Sequence, residues 1–167
     1  MRVIVTQRFA SSAEAVAGAY LQAGLYPGFG AIAVLSDVAV LGIETIPKAT
    51  VVRVRSRFAA ELPALVTKFV DPRRLTWVEV ASYRDDGSAT FRVVADHYAK
   101  LLRFAGTISL DADGHRGCVR RIQGELVVDL GWAGRPFVAS AEAAIAKGLS
   151  EALAAQVPIV ESFIDSP

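Results

Sequence analysis

The sequence predicts an α+β fold, with a curved antiparallel β-sheet of about six to seven strands wrapped around a long C-terminal α-helix. Three observations carry this. Residues 34–130 read as consecutive strands broken by tight turns, one strand and one short helix precede them, and a long amphipathic stretch follows them. Runs of strands followed by a helix point to α+β and away from a doubly wound parallel sheet. A strongly twisted antiparallel sheet cannot pack flat on one helix, so it curls around it and leaves space between.

The first strand runs from Val3 to Phe9. Val3, Val5 and Phe9 share one side, and Arg2, Thr6 and Arg8 lie mostly on the other. Ser11 with Glu14 three residues on fits a capping box for a helix carrying Ala13, Val16, Ala17, Tyr20 and Leu21 at helical spacing. Gly24, Pro27, Gly28 and Gly30 end it in an irregular or short helical connection. Val34 to Ile46 is strand-like, with Gly42 as a bulge candidate. In Thr50 to Phe58, Val52, Val54 and Phe58 share one face and Arg53, Arg55 and Arg57 the other. Leu62, Leu65, Val66 and Phe69 then take helical spacing after Pro63, which reads as a short helix inserted between strands. Leu75–Tyr83 and Ala89–Asp96 form a hairpin about Asp85-Asp86-Gly87. Leu101–Leu110 and Cys118–Leu130 follow, joined by a turn at Asp111-Ala-Asp113-Gly114.

The last stretch, from about Arg135 to Ile164, reads as one helix of about 30 residues, spanning ~45 Å. Pro136 suits its first position. Val138, Ala141, Ile145, Leu149, Ala152, Leu153, Val160 and Phe163 make one apolar stripe. Pro158 is expected to kink or interrupt the last turns. Glu142 falls near that stripe, either as an edge carboxylate reaching water or the helix N-terminus, or as a polar group facing a cavity.

With 167 residues and 53% hydrophobic composition, the chain is read as one domain with a substantial core, covering 1–167. Its 18 basic and 17 acidic residues nearly cancel, which argues against a general polyanion binder and so against nucleic acid. The lone Cys118 excludes an internal disulfide framework. No secretory leader is read at the N-terminus, and no apolar run is read as reaching a membrane span, so stable membrane insertion is not expected and a cytoplasmic location is. Abundant Arg, Ala and Val with no Asn suggest a GC-rich bacterial genome.

The element order is similar to the START-like, or helix-grip, superfamily (SRPBCC) that includes the Bet v 1-like proteins. More narrowly, the chain resembles a mainly actinobacterial START-like family of unknown function, DUF2505-like. The points of similarity are Phe9 closing strand one before Ser-Ser-Ala-Glu-Ala-Val, the insertion Leu62-Pro63-Ala64-Leu65-Val66, and the helix start around Gly134 to Glu142. None is a sharp catalytic motif. The connection Tyr26-Pro-Gly-Phe-Gly-Ala is shorter and more glycine-rich than the superfamily's usual second small helix. The resemblance implies binding of lipids, sterols, polyketides or other apolar molecules between sheet and helix; some superfamily members are cyclases or dehydratases.

Other motifs dissolve on inspection. Gly28-Phe-Gly30-Ala-Ile-Ala33 follows a helix, whereas a dinucleotide fingerprint follows a strand. Asp111-Ala-Asp113-Gly114 lacks the remaining ligands of a calcium loop. His97, His115 and Cys118 show no zinc spacing, so no metal and no cofactor is expected. Cys118 shares a face with Ile122 and Leu126 and reads as an inert core thiol. The Arg53/Arg55/Arg57 stripe reads as a solvated outer face, with a partner or nucleic-acid surface as the alternative, weakened by the absence of interleaved aromatics.

The constellation with chemical content is Leu75, Trp77, Glu79, Ala81 and Tyr83 on one side of one strand. Turned inward, it brings two aromatic rings and a carboxylate into the interior. Such a carboxylate is costly unless paired or ligand-contacted. Arg103 and the Tyr83 hydroxyl are candidate partners. Thr76, Val78 and Val80 on the opposite side suit the interior equally well, so the pattern leaves the inward face open.

The sequence thus favours binding of a hydrophobic small-molecule ligand in a cavity lined by Phe58, Trp77, Glu79, Tyr83, Phe91, Val93, Phe104, Ile145 and Leu149. No catalytic residue is assigned. The alternatives are an aromatase/cyclase- or dehydratase-like enzyme using Glu79, Tyr83 or His97, and an interaction module, with a homodimer left open.

Overall fold

The computed structural model describes residues 1–59, 61–62, 64, 66–68, 70–114 and 117–166. Strands β1 (Arg2–Phe9), β2 (Leu35–Ile46), β3 (Ala49–Phe58), β4 (Thr76–Tyr83), β5 (Ala89–Ala95), β6 (Leu102–Asp113) and β7 (Gly117–Val128) form one antiparallel sheet. Its order is β1-β7-β6-β5-β4-β3-β2. From β2 to β7 each strand thus pairs with the next in sequence, and β1 closes onto β7 with Val5 opposite Ile122. Helix α1 (Ala13–Tyr20) and a 3₁₀ segment, Ala23–Ala31, lie between β1 and β2, and α2 (Gly131–Gly134) leads through a 3₁₀ turn, Arg135–Phe137, into α3 (Val138–Ile164). The fold is a helix-grip: the sheet curves around α3, which packs on β1, β7 and α1.

Local chemistry explains the elements and several departures from the sequence reading. Helix α1 is capped by Ser12, whose hydroxyl accepts from the Ala15 N–H at 3.2 Å. The neighbouring Ser11 instead donates to Glu161 on α3, so the capping-box pair of Ser11 and Glu14 does not form. Strand β2 shifts register between Ser36 and Ala39 and again between Val40 and Gly42. Asp37 adopts a positive φ of 51° in the first irregularity. Among the described residues of the expected inserted helix, Val66–Lys68 form a 3₁₀ turn, and another, Pro72–Arg74, follows it; Pro63, Leu65 and Phe69 of the expected pattern, like His115, lie outside the described residues.

Helix α3 continues through Pro158 without interruption. By length and composition alone, Arg135–Ile164 would suffice to cross a membrane, with a mean hydropathy of 1.2, contrary to the expectation that no apolar run reaches a span. In the fold, Ala141, Ala152, Leu153 and Val160 of the apolar stripe are buried, and Val138, Ile145, Leu149 and Phe163 are half-buried. Among the close approaches that call for glycine, two bear on the core. A Cβ at Gly28 would meet Ile159 of α3 at 2.8 Å. At Gly124 it would meet the Phe104 ring at 2.7 Å and the Phe91 ring at 3.1 Å.

Candidate ligand cavity and its polar end

Between the sheet and α3 lies a cavity of about 230 Å³. The register orients it. Trp77 opposite Ala95 and Leu102 opposite Val128 lie toward one end, and Tyr83 opposite Ala89 and Arg120 opposite Leu110 lie toward the other. The first end is mostly apolar, lined by Leu62, Val70, Leu75, Trp77, Leu101, Leu102, Val128 and Leu130, with Ser56 opposite Trp77 and Tyr98, whose hydroxyl accepts from the Asp71 N–H. The second collects Tyr20, Tyr26, Tyr83, Arg120 and Gln156. Glu79 sits along the same wall, two residues from Trp77 and four from Tyr83 on one face of β4.

The face of β4 that the pattern left open is therefore settled: Trp77, Glu79 and Tyr83 point inward. Phe58, Val93, Phe104, Ile145 and Leu149 also border the cavity. Phe91 does not. Its ring stacks edge-on against Phe104, centroids 4.9 Å apart, and lies over Gly124, where the missing side chain leaves room for it. Arg103 is exposed on the outer face and is no partner for Glu79. His97 is also exposed, its Nδ1 3.2 Å from Arg74 Nη2, beside a polar surface depression with Asp37, Arg55, Arg57, Arg73 and Asp96. Cys118 is buried, and burial pushes its thiol up from the ordinary range, consistent with an inert core residue. Glu142 pairs with the α-amino group of Met1 at 3.5 Å.

The central residue of the polar end is Arg120, which is 4% exposed. Its guanidinium stands 4.1 Å above the Tyr20 ring, a cation–π contact. Its Nη1 donates to Gln7 Oε1 at 2.7 Å, and Gln7 Nε2 donates in turn to the Leu153 carbonyl on α3. Gln7 is thereby spent on both its polar atoms and holds the arginine in place. Arg120 also reaches the Tyr83 hydroxyl. Tyr20 donates to Gln156 at 3.1 Å, and Tyr26 donates to the Tyr20 carbonyl at 2.6 Å.

Glu79 has a different environment. Among the described residues it makes no hydrogen bond and no contact ion pair, and what surface it retains borders the cavity. Burial pushes its carboxyl above the ordinary range, and the charge of Arg120 pulls it part of the way back. For Arg120, burial works against the charge, but Tyr20, Tyr83 and Glu79 outweigh it and hold the guanidinium above its usual value. Burial likewise keeps Tyr20, Tyr26 and Tyr83 protonated, hence hydrogen-bond donors. Among the described residues no group of three metal-ligating side chains comes together.

Sequence patterning did not assign Tyr20, Tyr26 or Gln156 to the site, nor the two most telling residues, Arg120 and Gln7. Both signals were present: Arg120 alternates with Cys118 and Ile122 on the apolar face of its strand, and Gln7 with Val5 and Phe9 on theirs.

A family model covers residues 5–164. The chain belongs to the DUF2505 family. Its description is a protein of unknown function. No curated protein matches. Solved structures match across the chain at low identity. TTHA0849 from Thermus thermophilus superposes with a TM-score of 0.71 at 14% identity, covering 99% of this chain and 100% of that one. The Zhui aromatase/cyclase from Streptomyces sp. R1128 gives 0.64 at 15%, covering 99% and 93%. Norcoclaurine synthase from Thalictrum flavum, in complex with dopamine and hydroxybenzaldehyde, gives 0.64 at 17%, covering 100% and 88%. At these identities the likeness shows the fold of this DUF2505 chain and nothing of its chemistry.

Proposed function

We propose that this protein binds a compact, mostly apolar small molecule in the cavity, with the molecule's polar end toward Glu79 and Arg120. The observation that carries this is the asymmetry of the walls: aliphatic and aromatic side chains at one end, and Arg120 with three tyrosines at the other. A few placed polar groups in an apolar pocket fix orientation, while the apolar lining supplies most of the affinity. The volume of about 230 Å³ is below the ~300–1,000 Å³ typical of small-molecule sites. That favours a fused-ring or short-chain guest over a long-chain lipid. The structural neighbours lend support, since one is an aromatase/cyclase and another holds two small aromatic compounds. We place this role in the bacterial cytoplasm.

The test is a calorimetric titration with 2-naphthol against decane-chain amphiphiles, repeated on Gly148→Leu. Gly148 borders the cavity on α3, so a leucine there fills it. Preferential binding of 2-naphthol, with a negative heat-capacity change and its loss in Gly148→Leu, is the expected result. Equal binding to both proteins sinks the reading.

A further inference from the structure

Glu79 and Arg120 are opposite charges in one cavity wall that do not close on each other. Gln7, tied to Leu153, and the Tyr20 ring hold the guanidinium where it is. The carboxylate is left without a hydrogen-bond partner among the described residues and borders the cavity. A half-buried carboxylate facing an apolar cavity without a partner is costly unless something in the cavity satisfies it. A guest does so if it presents an acceptor to Arg120 and an acidic hydrogen to Glu79.

We propose that this split pair is a proton-transfer site for compact apolar ketones or β-dicarbonyls, with Glu79 as general base at the carbon next to the carbonyl and Arg120 holding the carbonyl oxygen. This rests on the binding reading above. In the step, the Glu79 carboxylate takes the α-proton. The C–H electron pair becomes the carbon–carbon double bond of the enolate, and the carbonyl π pair moves onto oxygen, where the guanidinium offsets the new charge. The Glu79 carboxyl exchanges its proton with water, and return of a proton from it to carbon regenerates the ketone, so the balance needs no oxidant or reductant and no reactant beyond solvent. The protonated Tyr83 hydroxyl, within reach of Arg120, is a second donor at the oxyanion end. Poor solvation of Glu79 raises its basicity, which suits the role. The groups that share its surroundings are Arg120 on β7, Tyr83 on β4, Tyr20 on α1 and Tyr26 on the 3₁₀ segment.

The experiment follows α-proton exchange of 2-tetralone in D₂O by NMR, with saturation transfer from protein to ketone as the separate readout of binding. The expected result is exchange faster than in buffer, with a fall of about 100-fold in Glu79→Gln, the lower range for general-base catalysis, while saturation transfer persists. Ketone that binds but exchanges no faster than in buffer, or exchange that survives Glu79→Gln, overturns the proposal and leaves cavity binding standing. Absence of saturation transfer overturns it and counts against cavity binding as well. If Glu79→Gln fails to fold, Gly148→Leu carries the decision: exchange that persists with the cavity filled overturns the proposal.

Discussion

Four arginines on two strands show how much the side of the sheet decides. On β3, Arg53, Arg55 and Arg57 point outward and meet Glu44, Asp96 and Asp37 at 3.3, 2.9 and 3.0 Å, in water. On β7, Arg120 points inward and meets a glutamine, a tyrosine face and, across a gap, a carboxylate. The outer pairs are solvated, screened and individually dispensable. The inner arginine has lost its water, so each protein group that replaces it is needed. One residue type is surface decoration on one face and the organising charge of the cavity on the other.

Four substitutions sharpen or break this contrast, in descending order of effect. Arg120→Met removes the inner cation and strands Glu79 and Gln7, so urea denaturation should show a loss of about 3 kcal/mol. Adding Glu79→Gln to it should restore part of that loss, and a double-mutant cycle with no coupling would deny that the two charges sense each other.

Glu79→Gln alone should change the pH dependence of stability. The carboxyl is held above its ordinary value of about 4.5, so the folded state binds this proton more tightly than the unfolded chain. Its contribution is fully present below that value and is lost as pH rises through the raised folded value. Asp71, Asp86 and Asp96 are shifted down and slope the opposite way at lower pH. The wild-type minus Glu79→Gln difference in stability should therefore fall with rising pH; a flat difference would mean that Glu79 is as well solvated as a surface carboxylate.

Gly148→Ala should stabilise by about 0.5–1 kcal/mol through helix propensity, because its Cβ meets only Phe58, at an ordinary 3.7 Å; a lower Tm would mean that α3 packs more tightly on β3 than this. Arg55→Ala should leave Tm unchanged within error, since its pair with Asp96 is exposed. A measurable drop there would erase the distinction between the two faces.

The sheet and the long helix were legible because period-two and 3.6-residue patterns report burial directly. Alternation identified the outer face of β3, where three arginines interleave with valines. It could not choose the inner face of β4, because Trp77, Glu79 and Tyr83 on one side and Thr76, Val78 and Val80 on the other are all compatible with a half-covered strand. Tertiary pairing with β3 and β5 decided it. Phe91 was misplaced because sequence shows that a ring is buried but not that glycine at 124, two strands away, has made a slot for it. Pro158 was expected to kink or interrupt the last turns of α3; the helix runs through it without interruption. Arg120 was readable as a lone charge on an apolar face, yet its meaning depended on Gln7, more than a hundred residues earlier in the chain.

The most direct test of the central claim is a crystal structure with 2-naphthol bound. The account predicts the rings against Trp77, Val93 and Leu149, and the hydroxyl at about 2.6–3.2 Å from Glu79 or Arg120, ordinary hydrogen-bond reach. Rings outside the cavity, or a hydroxyl turned toward Leu62 and Leu75 with Glu79 and Arg120 untouched, would contradict it.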